Sequence, residues 1–191
     1  PTTEARKYAL ELDRYYTVNP DYFELTNECN FDNLNWWRVF GLEMLNQADR
    51  LEWGNVILPT WNPGKPELSD LPALLPLFQA LDRRGDCIGM HSYGIVPGTW
   101  VSNSGIYLGF RYRLIHNELV RLDPSLSDLC IALTEVAAGA GNDPVSIGDV
   151  TKFWQEARHD PYLCCIAWWT AGKAGGWELS DLNGSMIAIA Q

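Results

Sequence analysis

Two glutamates stand where apolar, β-prone runs come to an end. Tyr22-Phe23-Glu24-Leu25-Thr26 runs into Asn27-Glu28, and Cys130-Ile131-Ala132-Leu133-Thr134 runs into Glu135. Two carboxyl groups held about 5–5.5 Å apart can break a glycosidic bond in two steps, one attacking the anomeric carbon and the other serving as acid, then base. Such work needs the two groups to titrate apart. Glu28 and Glu135 are therefore the candidate catalytic pair. Asn27 is placed to bind a sugar hydroxyl beside Glu28. A third run closes on His91-Ser92-Tyr93, which supplies hydrogen-bonding groups able to fix the charge state of a nearby carboxylate. Nine Trp is a high count, and Trp61, Trp100, Trp169 and Trp177 offer flat faces for pyranose rings. The same residues admit a second chemistry, since Glu28, His91 and Glu135 are oxygen and nitrogen ligands suited to a divalent ion.

The elements that must position these groups alternate. Helical spacing over 3–17 is stopped by Asn19-Pro20, a strand follows at 22–26, and a helix spans 34–51. Then come a strand at 56–58, a helix over 70–83 with Asp70 as N-cap, a strand at 87–92 and a helix over 106–122. A strand at 129–134, a helix over 147–158 and a strand at 163–169 complete the pattern. Strands separated by helices imply a parallel sheet. The longer loops follow strands, the habit of (β/α)₈ barrels, whose sites lie on that face. Alternation along a strand puts His91 and Tyr93 on the face of Gly89, and Glu135 on the face of Leu133 and Ile131. The expected fold is α/β: a partial (β/α)₈ barrel in one domain over 1–191, with five strands where a complete barrel has eight.

Composition removes several classes of function. A net charge of −10 argues against nucleic acid and against an anionic membrane surface as partners. No run reaches the roughly 18 apolar residues of a membrane span. Neither a dinucleotide fingerprint nor a strand-end lysine for Schiff-base chemistry is present. The five Cys show no CxxC spacing, which argues against a zinc ribbon, and their apolar neighbours suggest buried free thiols. Arg111 and Arg113 read as a solvated or salt-bridged helix face, Trp36 and Trp37 as helix packing, and His116 and His159 as helix-surface residues. Asn183-Gly-Ser matches a short glycosylation sequon. The chain begins on Pro1 and shows no signal peptide, so its N-terminus reads as incomplete and its localisation stays open.

Four motifs in order, TNE, HSY, LTE and WWT, resemble the strand-end motifs of the clan A glycoside hydrolases. The loops WNPGKP and GGWELSDL are most similar to bacterial and phage-associated relatives of the xylosidase/iduronidase-type barrels. The resemblance covers nearly the whole chain. It implies that the five strands are strands four to eight of a barrel, with the first three absent. It also implies that Glu28 is the acid/base, Glu135 the nucleophile and Trp169 the aromatic of the site floor. No cofactor or metal is called for, the substrate is a carbohydrate, and a complementing N-terminal segment or a second copy would complete the barrel. Cys29 stands where that family usually has Pro, which bears on loop shape more than on chemistry. A non-catalytic carbohydrate-binding or structural protein built on a barrel remnant is the further alternative.

Overall fold

The computed structural model describes residues 1–18, 20–29, 32–94, 107–137 and 147–168. The expected loops at 94–104, 137–146 and 171–181 lie mostly or wholly outside these residues. So do Trp100, Trp169, Trp177 and the sequon at Asn183. The elements run α1 (Thr2–Leu12), β1 (Tyr22–Glu24), α2 (Leu34–Arg50), β2 (Asn55–Trp61), α3 (Leu71–Arg84), β3 (Cys87–Tyr93), α4 (Arg111–Leu122), β4 (Cys130–Ala137), α5 (Ile147–Ala157) and β5 (Leu163–Trp168). The strands pair in the order β1-β2-β3-β4-β5, and every pairing is parallel. Together they form a curled half-barrel alternating with helices.

Two faces of this sheet have separate fates. Val56, Leu58, Ile88, Met90, Ile131 and Leu133 join the large core with helix residues such as Met44, Leu74, Phe78, Ile115 and Phe153. Removing that much apolar surface from water is the main force holding helices to sheet. The concave face carries the smaller cluster of Ile57, Cys87 and Ala132, together with most of the polar groups. Gly89 lies on this face because nothing larger fits there. A Cβ at that position would collide with Thr60 Oγ1 and Ile57 Cγ2.

Several boundaries differ from expectation for local reasons. β1 ends at Glu24 rather than Thr26, because the Thr26 hydroxyl itself accepts from Thr60 N–H (3.3 Å) in place of a ladder bond. Pairing resumes beyond it, where Cys29 N–H donates to Thr60 C=O at 3.1 Å. α4 starts at Arg111 rather than at 106, since Gly109 and Phe110 interrupt a short turn at Tyr107–Leu108. β4 runs on to Ala137 because β3 pairs with it as far as Tyr93. Asp70 does not cap α3 through its side chain; its carboxylate instead accepts from Glu67 N–H at 3.0 Å.

Arg111 is not on a solvated helix face. It is 2% exposed, and its guanidinium donates to Pro66 C=O and lies 3.5 Å from Glu67, tying α4 to the loop after β2. Arg113 does form ion pairs, with Asp160 at 2.7 Å and Glu156 at 4.0 Å. His116 stacks on Tyr162, with ring centroids 3.4 Å apart, and reaches Ser127 C=O at 3.0 Å.

Candidate active site

The C-terminal ends of β1, β3 and β4 converge on one buried imidazole. His91 comes from the C-terminal half of β3, and its side chain is fully buried. Its Nδ1 lies 3.2 Å from Glu28 Oε1 and 3.5 Å from Glu135 Oε2. A single N–H between two carboxylates bridges them and offsets part of their mutual repulsion. The carboxylate oxygens can be no farther apart than the sum of those two distances. That upper bound admits the roughly 5–5.5 Å of a retaining pair and reaches only the lower edge of the roughly 6.5–9.5 Å of an inverting one.

The position of Glu135 depends on a bulge. Met90 pairs with Leu133 and His91 pairs with Glu135, so Thr134 is an extra residue in β4. Leu133 and Ile131 face the helices, and strict alternation would have sent Glu135 to that same side. The sequence expectation that Glu135 shares a face with them is therefore wrong. The inserted Thr134 re-aims Glu135 to the concave side, the kind of local redirection that bulges provide. His91 and Tyr93 need no such device, since they share the concave face with Gly89 as alternation predicts.

Glu28 is held differently. It sits beyond β1 at φ 44°, in the left-handed region, where a side chain with a Cβ costs about 1 kcal/mol or more. Its side chain is 51% exposed, whereas that of Glu135 is 19% exposed. Tyr93 O–H donates to Glu135 Oε2. Burial pushes the Tyr93 hydroxyl well above its usual value, and the bond to Glu135 and the charges of Glu135 and Glu28 push it further. Tyr93 therefore stays a neutral donor to Glu135. The two carboxylates thus occupy unlike settings, one reached by water and one sequestered against a phenol.

Beside Glu28 opens a cavity of about 500 Å³ lined by Asn27, Tyr8, Trp36, Trp37 and Phe40 among others. Asn27 is exposed on its wall. Trp36 stacks on Phe40 at 4.8 Å and 13°, and Trp37 meets Phe40 edge-on at 5.3 Å. Helical spacing alone had assigned Trp36 and Trp37 to packing. Their place on the cavity wall follows from where α2 begins, directly after the Glu28 loop. Cys29 also lines this cavity, and burial raises its thiol to about 11, so it remains protonated and is a poor nucleophile.

Trp61 is not brought to the opening. It is fully buried on the helix side, edge-on to Phe78 at 5.8 Å, and belongs to the core rather than to a stacking surface. Trp168 packs edge-on against Phe153 of α5 at 5.9 Å, on the helix side of the sheet. Trp169 and Trp177 lie outside the described residues. No family model matches the chain. No curated protein matches it either.

Proposed function

We propose that the chain carries the catalytic pair of a retaining glycoside hydrolase. The observation that supports this most is the meeting of Glu28 and Glu135 on one His91 nitrogen, within a bound that admits the spacing of double displacement. Glu135, sequestered and oriented by Tyr93, attacks the anomeric carbon and forms a glycosyl ester. The leaving oxygen takes its proton from Glu28. Glu28, now a carboxylate and open to solvent, removes a proton from water. That water attacks the anomeric carbon, and Glu135 departs as carboxylate. The cavity bounded by Asn27, Trp36 and Trp37 adjoins the acid and would receive the leaving portion of a poly- or oligosaccharide. Aromatic walls suit the apolar faces of sugar rings.

A metal-dependent use of Glu28, His91 and Glu135 draws less support, because their ligand atoms do not close into one cluster. Among the described residues β1 and β5 each have one unpaired edge, where a complementing segment or a second copy would add strands. Assay of an activated aryl glycoside panel tests the proposal. Glu28→Gln should spare the first step for activated leaving groups and slow it by about 10²–10⁴-fold for poor ones. Full activity of both Glu28→Gln and Glu135→Gln on a poor leaving group would overturn the assignment.

A further inference from the structure

The opposite, N-terminal end of the sheet holds a second cluster, built from sulfur. Cys87 and Cys130 are direct register partners across β3 and β4. In β5, Leu163 pairs with Ile131 and Cys165 with Ala132, so Cys164 is the extra residue of a bulge. The bulge brings its sulfur to 3.3 Å from that of Cys87 and 3.3 Å from Ile131 C=O. The Cys130 sulfur lies within bonding distance of both Cys87 and Cys164. One sulfur forms only one disulfide, so two bridges through Cys130 cannot exist together. What the backbone builds is a convergence of three sulfurs, all within 4.8 Å of one another. The expectation of buried free thiols holds for Cys29, holds in part for Cys165, which is free but half-buried, and does not describe these three, whose sulfurs meet one another.

We infer that Cys87, Cys130 and Cys164 form a three-thiolate site for a thiophilic d¹⁰ cation, with Zn(II) the ion of reference. Three soft ligands of this kind select zinc or Cu(I) over hard cations. Bonds of about 2.3 Å to one ion place thiolates roughly 3.8–4 Å apart, so loading needs a swing of the Cys130 side chain away from its neighbours and a small parting of the Cys87 and Cys164 sulfurs from 3.3 Å. Access is provided. Cys164 is exposed and lines a cavity of about 700 Å³ with Cys165, Asp21, Tyr22 and Asn55. A further ligand from solvent can approach from that side. The ion would pin β3, β4 and β5 together at the end remote from Glu28 and Glu135, which makes this site independent of the hydrolase reading.

The test uses the full chain, reduced with a phosphine and titrated with Zn(II) alone, then with Co(II) as a spectroscopic substitute. One equivalent of ion should bind per chain, with a sulfur-to-cobalt absorption in the near ultraviolet and three thiols shielded from alkylation. Cys130→Ser should weaken binding by at least a hundredfold, and Cys165→Ser and Cys29→Ser should bind as the parent does. If Cys130→Ser does not fold, Cys164→Ser, altered at an exposed position, should show the same loss. Absence of stoichiometric binding to the reduced chain overturns the inference. So does binding that survives Cys130→Ser or Cys164→Ser, or that needs Cys165.

Discussion

At the C-terminal ends of β1, β3 and β4, oxygen and nitrogen groups gather around His91. At the N-terminal ends of β3, β4 and β5, three sulfurs gather around Cys130. Each end uses one bulge to complete its set, Thr134 for Glu135 and Cys164 for itself. Their backbones differ in cost. Glu28 is held in a left-handed conformation, whereas Cys87 and Cys130 meet simply as register partners. Strain is tolerated where surrounding structure over-determines it, and such positions cluster at active sites. Glu52, at φ 56° in the turn before β2, shows that such a conformation is not confined to the end proposed for catalysis, but only Glu28 carries it within a cluster of interacting side chains.

The sharpest way to break this contrast is to remove one end and read the other. Glu135→Gln should lower kcat on an aryl glycoside by about 10⁴-fold or more while leaving Zn(II) uptake intact. Cys130→Ser should do the reverse. Equal damage to both functions from either variant would mean that the ends are not separate. Trp61→Ala should cost about 3–5 kcal/mol in urea unfolding, because it empties a fully buried core position on the helix side. A variant that instead keeps its stability and loses only affinity for sugar would restore Trp61 to the binding surface.

A pH test sharpens the C-terminal end. The Cys29 thiol titrates at about 11 in the fold, against an ordinary value of 9.0. A raised value means the folded state holds its proton more tightly. The associated stabilisation is therefore complete below pH 9.0 and is lost as pH climbs through about 11. Unfolding by urea across that window should show a loss of about 2–3 kcal/mol that Cys29→Ala lacks. Tyr93 and Tyr112 shift in the same direction, so the difference between parent and variant is the quantity to read. The smallest effect is expected between the two ends. Gly89→Ala should destabilise by about 1–3 kcal/mol through its clash with Thr60 and Ile57. It should also loosen the 2.7 Å bond from the Thr60 hydroxyl to Glu24. A neutral result would show that the middle of the concave face has room to spare.

Much of the architecture was legible in advance. Helical spacing placed α2 and α3 to within a residue or two, and apolar runs located all five strands. These signals are local: a helix must bury one stripe, and a strand covered on both faces must be apolar throughout. The candidate residues at the strand ends were legible for the same reason, since a charged residue closing an apolar run stands out. Trp61 was misplaced because the strand reads as ending at 58, before Pro59, whereas β2 runs on through Pro59 to Trp61. Arg111 keeps the ion pair allowed for it, with Glu67, but its burial was not legible because its other partner, the Pro66 carbonyl, is 45 residues away.

Sequence by itself therefore determined the alternating elements, the parallel sheet and the presence of Glu28, His91, Tyr93 and Glu135 at strand ends. Tertiary structure alone decided which face Glu135 takes, which aromatics line the cavity beside Glu28, and that Cys87, Cys130 and Cys164 meet at all. Periodicity is written in neighbouring residues. Bulges and register between distant strands are set by the packing of the whole sheet, and a one-residue slip moves a side chain to the opposite face.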